Sequence, residues 1–76
     1  MPTVYQLVAQ ALVRSQGEDG ESFEDIVSFV KERRPVNEEV EPHVRAALKH
    51  GVEIGLLKMT DPFHFLEERY CIARRS

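Results

Sequence analysis

Three histidines and one cysteine are the side chains best suited to hold a metal, and their spacing argues against it. His43 and His50 lie seven residues apart, nearly two turns of one helix, whereas a helical pair that grips one ion stands at i, i+4. His64 falls in an aromatic loop. Cys71 sits on an extended segment, opposite in alternation to Tyr70 and Ile72, and is expected to be a small half-buried residue. The paired carboxylates Glu38/Glu39 and Glu67/Glu68 are adjacent in sequence, so they diverge rather than converge on a substrate. There is no Ser/Cys–His–acid spacing, no phosphate-binding glycine loop and no dinucleotide fingerprint, and a chain this short has no room for a deep pocket. No enzyme, metal or cofactor is expected. Two sets of side chains remain. One is cationic: Arg45, Lys49 and His50, with His43 nearby. The other is apolar: Phe63, Phe65 and Leu66 in one short run, with Phe29 and Tyr5 as lesser members.

The elements that must position these sets can be read in order. Val4, Leu7, Val8, Ala11 and Leu12 form one apolar stripe of a helix. Thr3 and Gln6 make a reciprocal cap at its start. Gly17 and Gly20 bracket a turn, so the helix ends near Ser15 or Gln16. A second helix opens at Ser22 as N-cap, with Glu24 and Asp25 in its first turn, where the helix dipole favours negative charge. Ile26, Val27 and Val30 are its buried stripe. Phe23 enters the core just before them, and Phe29 lies off the stripe. Pro35 ends this helix by pushing Arg34 toward extended geometry.

Asn37 is a candidate cap for a turn through Val40. The third helix then starts with Glu41 as N-cap and Pro42 at the first helical position. Val44, Ala47, Leu48, Gly51 and Val52 are its expected inner face, with Arg45, Ala46, Lys49, His50 and Glu53 outward. Gly55 is the natural residue to close it. Leu56 to Thr60 and Arg69 to Arg74 read as two antiparallel strands. Leu57 and Met59 share one face, Tyr70 and Ile72 point inward, and a long tip runs from Asp61 to Glu68.

Seventy-six residues make one small domain. Without staples its stability is expected to be roughly 3–5 kcal/mol. Hydrophobic residues at 42% and charged residues at 30% are a globular balance, not a disordered one. The lone cysteine allows no internal disulfide and fits a reducing compartment. No apolar run approaches the ~20 residues of a membrane span. The opening MPTVYQ has neither the basic nor the apolar region of a signal peptide. The net charge of −3 argues against a general polyanion binder, but it is unevenly spread. Residues 1–41 carry −5 and residues 42–76 carry +2, so two faces of different character are expected. The chain stops just after its last strand, which suggests a domain cut from a longer protein.

Helix, short extended Gly20-Glu21-Ser22, helix, turn, helix and two-stranded hairpin is the winged-helix order. The run Val44-Arg45-Ala46-Ala47-Leu48-Lys49-His50-Gly51-Val52-Glu53-Ile54-Gly55-Leu56-Leu57 resembles the passage from third helix into strand of the linker-histone globular domain. Gly20-Glu21-Ser22 and the closing Tyr70-Cys71-Ile72 resemble that family's matching segments. The chain is also similar to the winged-helix modules at the N-termini of chromatin regulators that read unmethylated CpG DNA. The resemblance implies an α+β winged helix over residues 1–76, three helices with a two-stranded antiparallel wing, in a nuclear setting of chromatin or transcription regulation. It departs from linker histones in being acidic, and in carrying Asp61-Pro62-Phe63-His64-Phe65-Leu66-Glu67-Glu68 where the family has a Gly- and Lys-rich tip.

Two functions follow, and both stay open at this point. In the favoured one, the domain binds a nuclear protein through the wing aromatics Phe63, Phe65 and Leu66, with Phe29 and the acidic first-half surface. A second copy of the chain is a further candidate partner; a membrane is not. In the alternative, the third helix enters the major groove of duplex DNA with Arg45, Lys49 and His50, while Lys58, Arg69, Arg74 and Arg75 of the hairpin meet phosphates. The bland alternatives are a solvated third-helix face and aromatics folded back over the small core.

Overall fold

The computed structural model describes residues 3–15, 20–59 and 68–73. The apolar stripe near the N-terminus forms α1 (Val4–Ser15), and Thr3 closes its start as expected. The Gln6 N–H donates to Thr3 Oγ1 at 3.1 Å, and the Thr3 N–H donates back to Gln6 Oε1 at 2.9 Å. Gly20, at a φ of 73°, redirects the chain into the extended pair β1 (Glu21–Ser22). Ser22 then caps α2 (Phe23–Arg33), its Oγ accepting the Asp25 N–H at 3.1 Å. Ser22 is itself buried, and the cap bond it makes is part-buried. Ser22→Ala is therefore expected to cost about 0.5–2 kcal/mol, measured by urea unfolding.

Arg34 ends α2 in extended geometry ahead of Pro35, with φ −120° and ψ 162°. Its guanidinium grips Glu38 with two hydrogen bonds, 2.7 and 2.6 Å long, across the turn that follows. The bonds from Arg34 hold the Glu38 carboxyl below its usual range.

α3 (Glu41–Glu53) starts one residue earlier than its sequence suggests. Val40, not Glu41, is the N-cap, it offers no side-chain bond, and Pro42 takes the second helical position. Burial explains the shift: Val40 is 1% exposed and belongs to the core, so packing of its side chain fixes the entry that a polar cap would otherwise fix. The far end follows expectation. Gly55, at φ 82°, lets the Leu56 N–H reach Gly51 O at 2.9 Å and the Gly55 N–H reach Val52 O at 3.2 Å, satisfying carbonyls the helix leaves orphaned.

Among the described residues the sheet has three strands, in the order β1-β3-β2, where the sequence suggests a two-stranded wing. β2 (Leu57–Met59) and β3 (Arg69–Ile72) pair antiparallel, Leu57 opposite Ile72 and Met59 opposite Tyr70. β1 adds on the other side of β3, Glu21 opposite Tyr70 and Ser22 opposite Arg69. The extended Gly-x-Ser segment is thus a paired strand. Leu57 lies over Gly51, where a Cβ would stand 2.5 Å from its Cδ1, so the missing side chain lets β2 close onto α3.

Leu7, Ile26, Val30, Val40, Val44 and Leu48 are the largest fully buried side chains, and Tyr70 seals them from the sheet. Two expected core members lie further out. Val52 is 38% exposed because it sits on the last turn of α3, past the reach of the other helices. Ile72 is 37% exposed: it shares the inner face with Tyr70 but stands at the strand end, opposite the half-buried Leu57 of the edge strand. Met59, on that same edge, is also exposed.

Candidate functional site

The third helix places its cations as its period requires. Arg45 and Lys49 stand one turn apart on the outer face of α3, both exposed, with Pro42 and Ala46 on the same face. Small side chains there leave the helix backbone open to close approach. Lys49 makes no hydrogen bond or ion pair among the described residues. His50 is exposed at the flank, its ring meeting that of Tyr5 edge-on at 5.8 Å, which ties the start of α1 to the end of α3. Lys58 is exposed on β2, opposite Cys71.

Arg45 has two partners that its sequence neighbourhood does not reveal. Its guanidinium lies over the Phe23 ring, 4.4 Å from the centroid, and its Nη1 approaches Glu68 Oε2 at 3.4 Å. The same Oε2 accepts the Tyr70 hydroxyl at 2.6 Å. The backbone completes the arrangement, with the Phe23 N–H donating to the Glu68 carbonyl at 3.0 Å. Burial, then the hydrogen bond to Glu68 and its negative charge, push the Tyr70 hydroxyl up to about 12. At neutral pH it keeps its proton and keeps donating. The i, i+2 spacing of Glu68 and Tyr70 was readable along an extended segment. Their meeting with Phe23 and Arg45, more than twenty residues away, depends on the β1–β3 pairing.

Other expected contact residues are differently employed. Arg69 is half-buried and donates to the Gly20 carbonyl at 3.0 Å, holding Gly20 at the entry to β1. Phe29 is half-buried between Arg33, 3.7 Å from its centroid, and Arg14, at 5.2 Å. Phe63, Phe65, Leu66, Arg74 and Arg75 lie outside the described residues.

A different surface runs between α1 and α2. A groove of about 450 Å³ passes Ala11, Arg14, Glu21, Asp25, Ser28, Phe29 and Glu32. Burial first, and then the neighbouring Asp25 carboxylate, raise the Glu21 carboxyl above its usual value. For a carboxyl with a raised folded-state pKa, the stabilising contribution is complete below the unfolded value of 4.5 and is lost as pH rises through the folded one. Glu21→Gln is therefore expected to raise the melting temperature at pH 7 and to leave it unchanged in acid well below 4.5. Thermal melts at the two pH values test this.

Among the described residues, three helices, the last with exposed cations, and a three-stranded antiparallel sheet make up a winged helix. The model of the linker histone H1 and H5 family matches residues 1–62, most of the chain. The chain belongs to the linker histone family. It is a chromatin-associated winged-helix module of that family, whose members are non-enzymatic nuclear proteins. The match takes in all of α1 to β2 and therefore the whole of this family member's cationic helix face. No curated protein matches the chain. Among the described residues, no helix is long and apolar enough to cross a membrane, and no three metal-ligating side chains come together.

Proposed function

We propose that this linker-histone domain contacts duplex DNA with the outer face of α3, Arg45 and Lys49 meeting the duplex and Lys58 of β2 adding a phosphate contact. The observation that carries this reading is the exposed outer face of α3, where Arg45 and Lys49 stand on either side of Ala46 and Lys49 has no partner among the described residues. An α-helix fits the ~12 Å major groove, and lysine or arginine is the side chain that meets guanine or phosphate there. The net charge of −3 makes the binding weak and strongly salt-dependent. Each phosphate neutralised steepens the salt slope by about 0.9, so three contacts give a slope of about −3. A fluorescence-anisotropy titration of a labelled duplex across a salt series tests it. Saturable binding at low salt with that slope is expected, and no binding at low salt would reject the reading.

A second reading, recognition of a nuclear protein, is supported by the acidic groove between α1 and α2. Glu21, Asp25 and Glu32, the last paired with Arg33 at 3.1 Å, place three carboxylates there against one lining cation, Arg14, beside a half-buried aromatic ring. A basic partner segment bound on that face would be weakened by Asp25→Lys with Glu32→Lys and untouched by changes at Arg45 or Lys49.

A further inference from the structure

We propose that Glu68 is a built-in competitor for DNA phosphate at Arg45: its carboxylate, fixed by the Tyr70 hydroxyl, occupies the guanidinium and holds the duplex affinity of the α3 face down. The inference rests on the DNA reading above and names what regulates that same face.

Arg45 is one of only two cations on the outer face of α3, and its Nη1 is already directed at Glu68 Oε2, 3.4 Å away. Both side chains are exposed, at 59% for Arg45 and 43% for Glu68, so the pair sits where a phosphate would arrive. A phosphate oxygen and a carboxylate oxygen make the same demand on a guanidinium, and each forms charge-assisted hydrogen bonds with it. The two compete for the guanidinium on the side that faces Glu68.

The carboxylate is not a mobile surface charge that swings aside without cost. The Tyr70 hydroxyl donates to the same Oε2 at 2.6 Å. Tyr70 is a core residue, so its hydroxyl is a fixed post. The Glu68 backbone is held in turn, its carbonyl accepting the Phe23 N–H at 3.0 Å. Phe23 also supplies the surface on which the guanidinium lies, 4.4 Å away. Stacking and ion pairing thus fix Arg45 in one pose directed at the protein's own acid. A phosphate entering this site meets the negative charge of Glu68 as well as the occupied guanidinium. Neutralising Glu68 removes both obstacles and leaves the aromatic platform in place.

The test is duplex binding by anisotropy at low and physiological salt for the unaltered domain, Glu68→Gln, Glu53→Gln and Arg45→Ala, with and without Glu68→Gln. Glutamine keeps an oxygen to accept from Tyr70, and circular dichroism melts confirm that each variant is folded. Glu53 lies one turn beyond Lys49, exposed and without an ion pair among the described residues, so its neutralisation reports the loss of one acid beside the other cation of the face. Releasing an exposed ion pair is worth up to about fivefold in affinity. Glu68→Gln is expected to tighten binding by about that factor beyond Glu53→Gln and to steepen the salt slope by about one. The gain should vanish in the Arg45→Ala background. Binding that Glu68→Gln improves no more than Glu53→Gln, or improves as much without Arg45, overturns it while the DNA reading stands. Absence of binding in every protein overturns both.

Discussion

Leu48→Ala is expected to lower the folding stability by about 2–5 kcal/mol, most of what a domain of this size has. Leu48 is 1% exposed and lies in the middle of the buried stripe of α3, among core side chains from α1, α2 and β3. Truncation removes three carbon atoms from a site whose walls belong to several elements, and these cannot all close on the gap together. The contrast lies on the same helix. Val52→Ala should cost well under 1 kcal/mol, because its side chain is already partly in water. Urea unfolding of both variants checks the pair. A Leu48→Ala protein that melts cooperatively within a few degrees of the parent would contradict the core described above.

Reversing both cations of the α3 face, Arg45→Glu with Lys49→Glu, is expected to abolish duplex binding. At low salt the loss should exceed roughly tenfold, and the residual salt slope should flatten by about two. The variant should keep its fold. Both side chains are exposed, and an exposed ion pair such as Arg45–Glu68 contributes only about 0–1 kcal/mol. Anisotropy titrations paired with thermal melts separate lost binding from lost structure.

How much of this was legible in the chain depends on the range of the interaction. Local periodicity and capping chemistry were readable because they act over three or four residues. The α1 stripe from Val4 to Leu12, the Thr3–Gln6 exchange, the Ser22 cap and the Gly55 closure each appear where their spacing places them. The winged-helix order was readable from the run spanning Val44 to Leu57, the stretch in which α3 leads into β2, and the family match includes it. Val40 was harder to read. A valine between acidic residues and a proline resembles a turn, and only the convergence of three helices makes it the buried entry to α3. The surroundings of Arg45 were not legible at all. Phe23 looked like a core residue and Glu68 like part of a solvated tip. Their meeting requires the register of β1 on β3, which no spacing along the chain specifies. The uneven charge along the chain announced two faces of different character, but not where they lie: the carboxylates of Glu21, Asp25 and Glu32 gather along the α1–α2 groove.

The central claim, that the outer face of α3 is the surface that meets duplex DNA, is tested most directly by amide chemical-shift mapping during a duplex titration at low salt. The account predicts the largest changes at Arg45, Ala46, Lys49 and His50, with a smaller response at Lys58 and near silence from Asp25 to Glu32. Changes concentrated on the α2 segment while the α3 amides stay still, or no changes anywhere as duplex is added in excess, would contradict it.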